Sequence, residues 1–288
     1  MDKPDICFVS YGLYSYLKPG HSKDAGGAER QQYLIAKELV KRGYDVSAIV
    51  GDYGQNKVEY IDGIKAQKGY RSITESGYKS VKGMVRAPIQ VAKMIDSIND
   101  INAERYYTRA TLFYPILYIS SKLYNIKYYC GLSHDRDVEK NSVDSNNHAF
   151  RYTYLNSLKH SNQVIAQTNY QKNKLESNYD ISSIVIPNGC IIPECKDRER
   201  KFFLWVGRAN KEAKKPDLFL KLAKWLPEYK FVMIAVPDND SQYYQRLKQN
   251  AKNLNNVDFE GFVNPDEIES YYRDSVALIN TSSGEGFP

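Results

Sequence analysis

The sequence predicts an α/β protein built from two Rossmann-like domains, with parallel sheets facing a cleft and the second domain incomplete. Three observations carry that prediction. Short apolar runs such as Ile6-Cys7-Phe8-Val9 and Phe203-Leu204-Trp205-Val206 are bounded by turn residues, as in strands buried on both faces. These runs alternate with helix-patterned stretches, twice over. A polar, charged stretch over 193–201 separates the two series and reads as a linker. The expected division is therefore 1–192, a linker over 193–201, and 202–288.

In the first series, the strand at 6–10 leads into a loop rich in Tyr, Gly and Lys. Gly26-Gly27-Ala28-Glu29-Arg30 then opens a helix. Ala28, Ile35, Ala36, Leu39 and Val40 keep helical spacing, and Gly43 stands where a left-handed C-terminal residue belongs. Residues 46–50 form the next strand, which makes a βαβ unit with a right-handed crossover. Further strands are expected at 106–108, 127–130, 164–166 and 184–186. Helices are expected around 85–98, 112–123 and 150–159. Pro187-Asn188-Gly189 marks a turn. The second series gives strands at 202–207, 231–235, 257–260 and 276–280. Its helices run over 216–225, with Pro216 in the first turn, over 241–253, and from Asn264-Pro265-Asp266-Glu267 onward.

Composition removes several classes of function. Of 288 residues, 42% are hydrophobic and 26% charged, which suits a globular chain rather than a disordered one. No stretch approaches ~20 uncharged apolar residues, so no transmembrane helix is expected. Met1-Asp2-Lys3-Pro4-Asp5 runs straight into a strand, without the pattern of a secretory signal. The net charge of +6 is spread too widely for a dedicated nucleic-acid binder. Cys7, Cys130, Cys190 and Cys195 form no CxxC pair and lie far from the histidines in sequence, so neither a zinc site nor a disulfide framework is read. A reducing, cytoplasmic compartment fits. The 25 tyrosines suggest no function by themselves.

Four segments carry candidate chemistry. Gly26 and Gly27 at a helix start let a ligand approach the backbone where N–H groups favour an anion; otherwise they are a glycine-rich turn. They do not form GxGxxG, so the dinucleotide fingerprint is absent. Gly207-Arg208 follows a buried strand, with Lys214 and Lys215 just before a helix. A guanidinium fork and a point charge suit a diphosphate; the alternative is a solvated basic loop. Ser133-His134-Asp135 follows the strand at 127–130, where His134 faces the cleft and has a hydrogen bond to offer a hydroxyl; a structural histidine is the plain alternative. His21, His148 and His160 have no comparable setting. Last, Ser282-Ser283-Gly284-Glu285-Gly286-Phe287-Pro288 follows a strand. There glycines beside Glu285 let N–H groups and a carboxylate meet a polyhydroxylated ligand, or merely turn the chain.

Taken in order, GGAER at 26–30, SHD at 133–135, IPNGC at 186–190, VGR at 206–208, KKPD at 214–217, FEGFV at 259–263 and SSGEGFP at 282–288 resemble glycosyltransferase family 4, retaining enzymes of the GT-B fold. The resemblance covers the whole chain and is least clear over 53–102. Cys190 replaces the Val common after PNG, and Pro288 stands for Gly in EGFG. The resemblance implies a nucleotide-sugar donor, bound mainly by the second domain, and a carbohydrate or lipid-linked acceptor, bound mainly by the first. Arg208 and Lys214 would hold the donor diphosphate and stabilise the departing nucleotide, with Lys215 the alternative to Lys214. Gly26 and Gly27 would approach the diphosphate from the other domain. His134 would contact the donor sugar. Glu285 and the N–H groups of Gly286 and Phe287 would bind sugar hydroxyls. Phe262 and Val263 would begin the loop that meets the base. Fixed positive charge aimed at the leaving phosphate is then the main catalytic device. The nucleotide-sugar is a co-substrate, and neither cofactor nor metal is called for.

The resemblance also implies a second Glu near position 293, beyond Pro288, so the chain is expected to be truncated and to have little transferase activity by itself. A weaker reading concerns membranes. Between Lys57 and Lys93 stand eight Lys or Arg against three acids, with Met84, Val85, Ile89 and Val91 nearby. Such a surface suits peripheral docking on the inner face of an anionic membrane, or a solvated face. A nucleotide-sugar epimerase of the same fold and a non-catalytic partner subunit are the competing functions.

Overall fold

The two βα series fold as two separate sheets in a computed structural model that describes residues 3–18, 26–70, 81–144, 148–190, 199–238, 240–263 and 265–283. The chain divides into two units, Met1–Cys190 and Ile191–Gly286.

In the first unit the elements run β1 (Ile6–Val9), α1 (Tyr14–Leu17), α2 (Gly27–Lys41), β2 (Val46–Gly51), β3 (Val58–Ile61), β4 (Ile64–Tyr70) and α3 (Val81–Ile101). Then follow β5 (Arg105–Thr108), α4 (Tyr114–Tyr124), β6 (Lys127–Gly131), α5 (Lys140–Asp144), α6 (His148–Lys159), β7 (Gln163–Ala166), α7 (Asn169–Tyr179) and β8 (Ile184–Val185). Eight strands pair in the order β3-β4-β2-β1-β5-β6-β7-β8. All neighbours are parallel except β3 and β4. That antiparallel hairpin is an addition to the expected parallel sheet. Its turn is Asp62-Gly63, with φ of 51° and 78°, the two left-handed residues that a tight hairpin requires.

β1 and β2 are buried almost throughout, which explains their largely apolar runs. Gly43 has φ 86° and ends α2 in the expected left-handed conformation. The buried face of α2 differs from the expected stripe. Gln32 and Ala36 are fully buried, whereas Ile35 stays 38% exposed. The tyrosines have structural work. Tyr106, Tyr114 and Tyr128 are buried to within 1%, and their hydroxyls donate to the carbonyls of Ile98, Gly131 and Ser157 at 2.6–2.7 Å. Each fills core volume and satisfies a carbonyl at once. Burial pushes the Cys7 thiol up to about 12 and Cys130 well above its ordinary value, so both are inert fillers.

The second unit contains β9 (Phe202–Arg208), α8 (Pro216–Trp225), β10 (Phe231–Val236), α9 (Ser241–Lys252), β11 (Val257–Glu260), α10 (Pro265–Asp274) and β12 (Ser275–Leu278). The four strands are parallel, in the order β11-β10-β9-β12. One face buries Trp205, Phe219, Phe231, Met233 and Leu247; the other buries Leu204, Val232 and Ile234. β12 begins one residue earlier than expected and ends at Leu278, with an irregularity between Ser275 and Ala277. The pairing persists one residue further, because Ile279 N–H donates to Leu204 O at 2.8 Å.

Among the described residues, no helix is long and apolar enough to cross a membrane. Within the basic stretch 57–93, residues 71–80 and the side chains of 81–87 lie outside the described residues.

Candidate active site

In an open parallel sheet, ligands bind beyond the carboxyl ends of the strands, where the strand order reverses. Here the reversals fall between β1 and β5 in the first sheet and between β9 and β12 in the second. Gly26, Gly27, His134, Arg208, Lys214 and Lys215 lie at or near these two places.

In the first unit, Gly26 has an extended backbone (φ −115°, ψ −175°) and caps α2. Its N–H donates to the Glu29 carboxylate at 3.0 Å, and its carbonyl accepts from Tyr16 Oη at 3.2 Å. A Cβ at Gly26 would stand 2.9 Å from Glu29 Oε2, whereas one at Gly27 would meet no protein atom within 4 Å. At 26 an added side chain would crowd only the tip of the flexible Glu29 side chain, and the cap itself uses the backbone N–H. At 27 the missing side chain leaves open space, which suits close approach by a ligand.

His134 follows β6 on a short helical turn. Its backbone is extended and its side chain exposed. Nδ1 accepts the Arg136 N–H at 3.1 Å, so the neutral ring carries its proton on Nε2 and presents a donor. Asp137 fixes this turn. One carboxylate oxygen accepts from Ser133 N–H at 2.9 Å, His134 N–H at 2.9 Å and Ser133 Oγ at 3.2 Å. Burial raises the Asp137 carboxyl above the ordinary range, and these bonds draw it partly back.

In the second unit, Arg208 is the last residue of β9 and its side chain is exposed. The loop after it is organised by Asn210, which the sequence reading missed. Asn210 Oδ1 accepts from Glu212 N–H and Ala213 N–H at 3.1 and 2.8 Å, and its amide donates to Asp238 at 2.6 Å. Its backbone carbonyl accepts from both Lys214 N–H and Lys215 N–H, at 3.1 and 3.0 Å. Lys215 is held at φ 46°, ψ 50° directly before Pro216, a conformation that side-chain sterics and the following proline both disfavour. Such strain persists only where the surroundings enforce it.

Thr281, just past β12, supplies part of that enforcement. Its hydroxyl accepts from Trp205 Nε1 at 2.9 Å and donates to Lys214 O at 2.6 Å. Ser283 N–H donates to Ala213 O at 2.9 Å, and Ser283 Oγ lies 3.1 Å from Glu212 O. The basic loop after β9 and the segment after β12 are thus stitched together across the switch point. Replacing Thr281 with Val leaves the indole N–H and the Lys214 carbonyl without this bridge. The expected cost is about 1 kcal/mol with a shift in tryptophan emission, both read in a denaturation series.

Phe262 follows β11 and is 69% exposed, while Val263 packs partly against Leu204, Val232 and Ile234. These two lie beyond the opposite edge strand from β12. Glu285, Gly286 and Phe287 lie outside the described residues.

Two Rossmann-like units, each with candidate groups at the carboxyl ends of its strands, fit the GT-B class of glycosyltransferases, and the family matches bear that class out. Residues 25–191 match Glycosyltransferase Family 4 and residues 193–288 match Glycosyl transferases group 1. The chain belongs to glycosyltransferase family 4. No curated protein matches it in sequence. Among solved structures, it is similar to sucrose-phosphate synthase from Thermosynechococcus elongatus, with TM-score 0.72 and 14% identity, covering 100% of this chain and 77% of that one. It is similar to Anabaena HepE in complex with UDP and glucose, with TM-score 0.68 and 17% identity, covering 99% and 76%. A glycosyltransferase from Rickettsia africae gives TM-score 0.61 and 19% identity, covering 98% and 74%.

Proposed function

We propose that this glycosyltransferase takes a hexosyl group from a UDP-sugar and delivers it, with retention of anomeric configuration, to a glycan or lipid-linked acceptor. The observation that carries the donor half is the cationic switch point of the second sheet. Arg208 ends β9 there, beside a loop holding Lys211, Lys214 and Lys215, tied to the segment leading to Glu285. Glycosyl transfer places growing negative charge on the leaving diphosphate, and prefixed cations stabilise that charge without reorganising. The HepE structure, with UDP and glucose bound, supports uridine as the base. His134 Nε2–H is assigned to a donor-sugar hydroxyl and Glu285 to others. Retention and the acceptor class rest on the family resemblance.

The test is a thermal-shift screen against UDP, GDP, ADP and their glucose conjugates, with NAD as control. A ligand that binds only the folded chain raises its stability by mass action. A shift with UDP and UDP-glucose alone is expected. A shift with NAD alone, or equal shifts with all the nucleotides, would sink the proposal.

A further inference from the structure

Arg109 stands directly after β5, at the switch point of the first sheet, and is only 4% exposed. Its guanidinium makes no ion pair with a carboxylate among the described residues. It instead closes a ring of hydrogen bonds. One terminal nitrogen donates to Leu132 O at 2.9 Å and the other to Asn188 Oδ1 at 2.7 Å. Asn188 Nδ2 donates to Gln167 Oε1 at 3.0 Å, and Gln167 Nε2 returns to Leu132 O at 2.6 Å. The four members follow β5, β6, β7 and β8 in turn, so the ring locks the carboxyl ends of four neighbouring strands.

Two extensions give the ring a direction. Gln171 accepts from Gln167 N–H at 2.9 Å and donates to Asp135 Oδ1 at 3.0 Å. On the other side, Gln31 of α2 donates to Gly189 O at 2.8 Å. His134 therefore sits between two anchored points, Leu132 before it and Asp135 after it, while its own ring is left exposed. The Pro187-Asn188-Gly189 segment is the hub: it reaches the His134 loop through Arg109 and Gln167, and α2 through Gln31.

We propose that Arg109 is a positioning residue for His134, clamping the Leu132 carbonyl and the Asn188 amide so that the imidazole is presented in one orientation and one tautomer. A buried guanidinium without a carboxylate is costly to keep. Its fork meets two acceptors at once, a geometry a lysine ammonium does not reproduce. What the ring serves rests on the reading of His134 as a sugar contact; that it holds His134 does not.

The experiment is nitrogen-15 NMR of the histidine side chains at a pH where the His134 ring is neutral, with its signals assigned by their loss in His134→Ala. In the parent chain, Nδ1 is expected at an acceptor shift and Nε2 at a protonated one. Arg109→Lys keeps the charge and loses the fork, so both shifts should move toward the average of two tautomers. Asn188→Ala removes the hub from a less buried position and should do the same; it serves if Arg109→Lys fails to fold. Parent shifts in either folded variant overturn the proposal.

A second readout separates this proposal from the functional one. The ratio of UDP-glucose to UDP affinity, measured by calorimetry, should fall equally in Arg109→Lys, His134→Ala and the double variant, because both residues act as one unit. Altered shifts with an unchanged ratio uphold the positioning role and reject the sugar contact.

Discussion

Arg208→Ala should weaken UDP binding about ten- to a hundredfold, the loss of one or two charge-assisted bonds to phosphate at about 1.5–3 kcal/mol in total. The side chain ends β9 at the reversal of strand order and is exposed, so its removal leaves no cavity. Calorimetry at two salt concentrations is the check, because the contribution of an exposed cation shrinks as salt rises. UDP affinity equal to that of the parent chain would remove Arg208 from the donor site. The same titration settles which lysine cooperates with it. Lys214 has both its backbone N–H and carbonyl fixed, by Asn210 and Thr281. Lys214→Ala should therefore cost as much as Arg208→Ala. Lys215 carries the strained backbone. Lys215→Gly should relieve that strain and raise the unfolding midpoint, with a smaller loss of affinity. If Lys215→Gly costs the affinity and Lys214→Ala does not, their roles exchange.

Strand-by-strand reading of the sequence worked where burial dictates composition. β1, β2, β9 and β10 lie inside their sheets with much of their length buried, so their residues are mostly apolar and legible as runs. The β3–β4 hairpin was missed because it lies at a sheet edge, with a partly exposed face and polar residues between its apolar ones. Asp62-Gly63 between two such segments was nonetheless a readable signal. α7 was missed because only Gln171 and Leu175 are buried on it, so it has no apolar stripe. The site divides in the same way. Glycines, cations and a histidine at strand ends were visible, since their chemistry is local. Arg109 and Thr281 were not, because what they do depends on partners 23 to 79 positions away for Arg109 and 67 to 76 for Thr281. No spacing within one element records such a contact. Tyr114 and Tyr154 make the same point. Their hydroxyls support Gly131 and Asp137 on either side of His134, yet in sequence they are two among 25 tyrosines.

Asp137→Ala should destabilise the first unit by about 2–3 kcal/mol, because Ser133 N–H and His134 N–H lose an ionised acceptor together. Asp137→Asn retains an acceptor oxygen for both N–H groups and removes the buried charge, so its cost should be well below that of the alanine. The pH dependence distinguishes them. Burial raises the Asp137 carboxyl in the folded chain above its unfolded value. The folded state then binds the proton more tightly than the unfolded one. Stability contributed by that proton is fully present below the unfolded value of ~3.9 and is lost as pH rises through the raised folded value. The parent chain should therefore gain stability relative to Asp137→Asn as pH falls through that window, and lose it again as pH rises. Urea denaturation of the two chains across the acid range measures the difference, and the other carboxylates cancel between them. A constant difference across the range would mean that Asp137 titrates alike in both states, and that its three bonds offset its burial in full. The same pair tests the link to His134. If the Asp137 bonds set the backbone that presents the imidazole, Asp137→Ala should shift the His134 nitrogen resonances at neutral pH while Asp137→Asn leaves them near their parent positions.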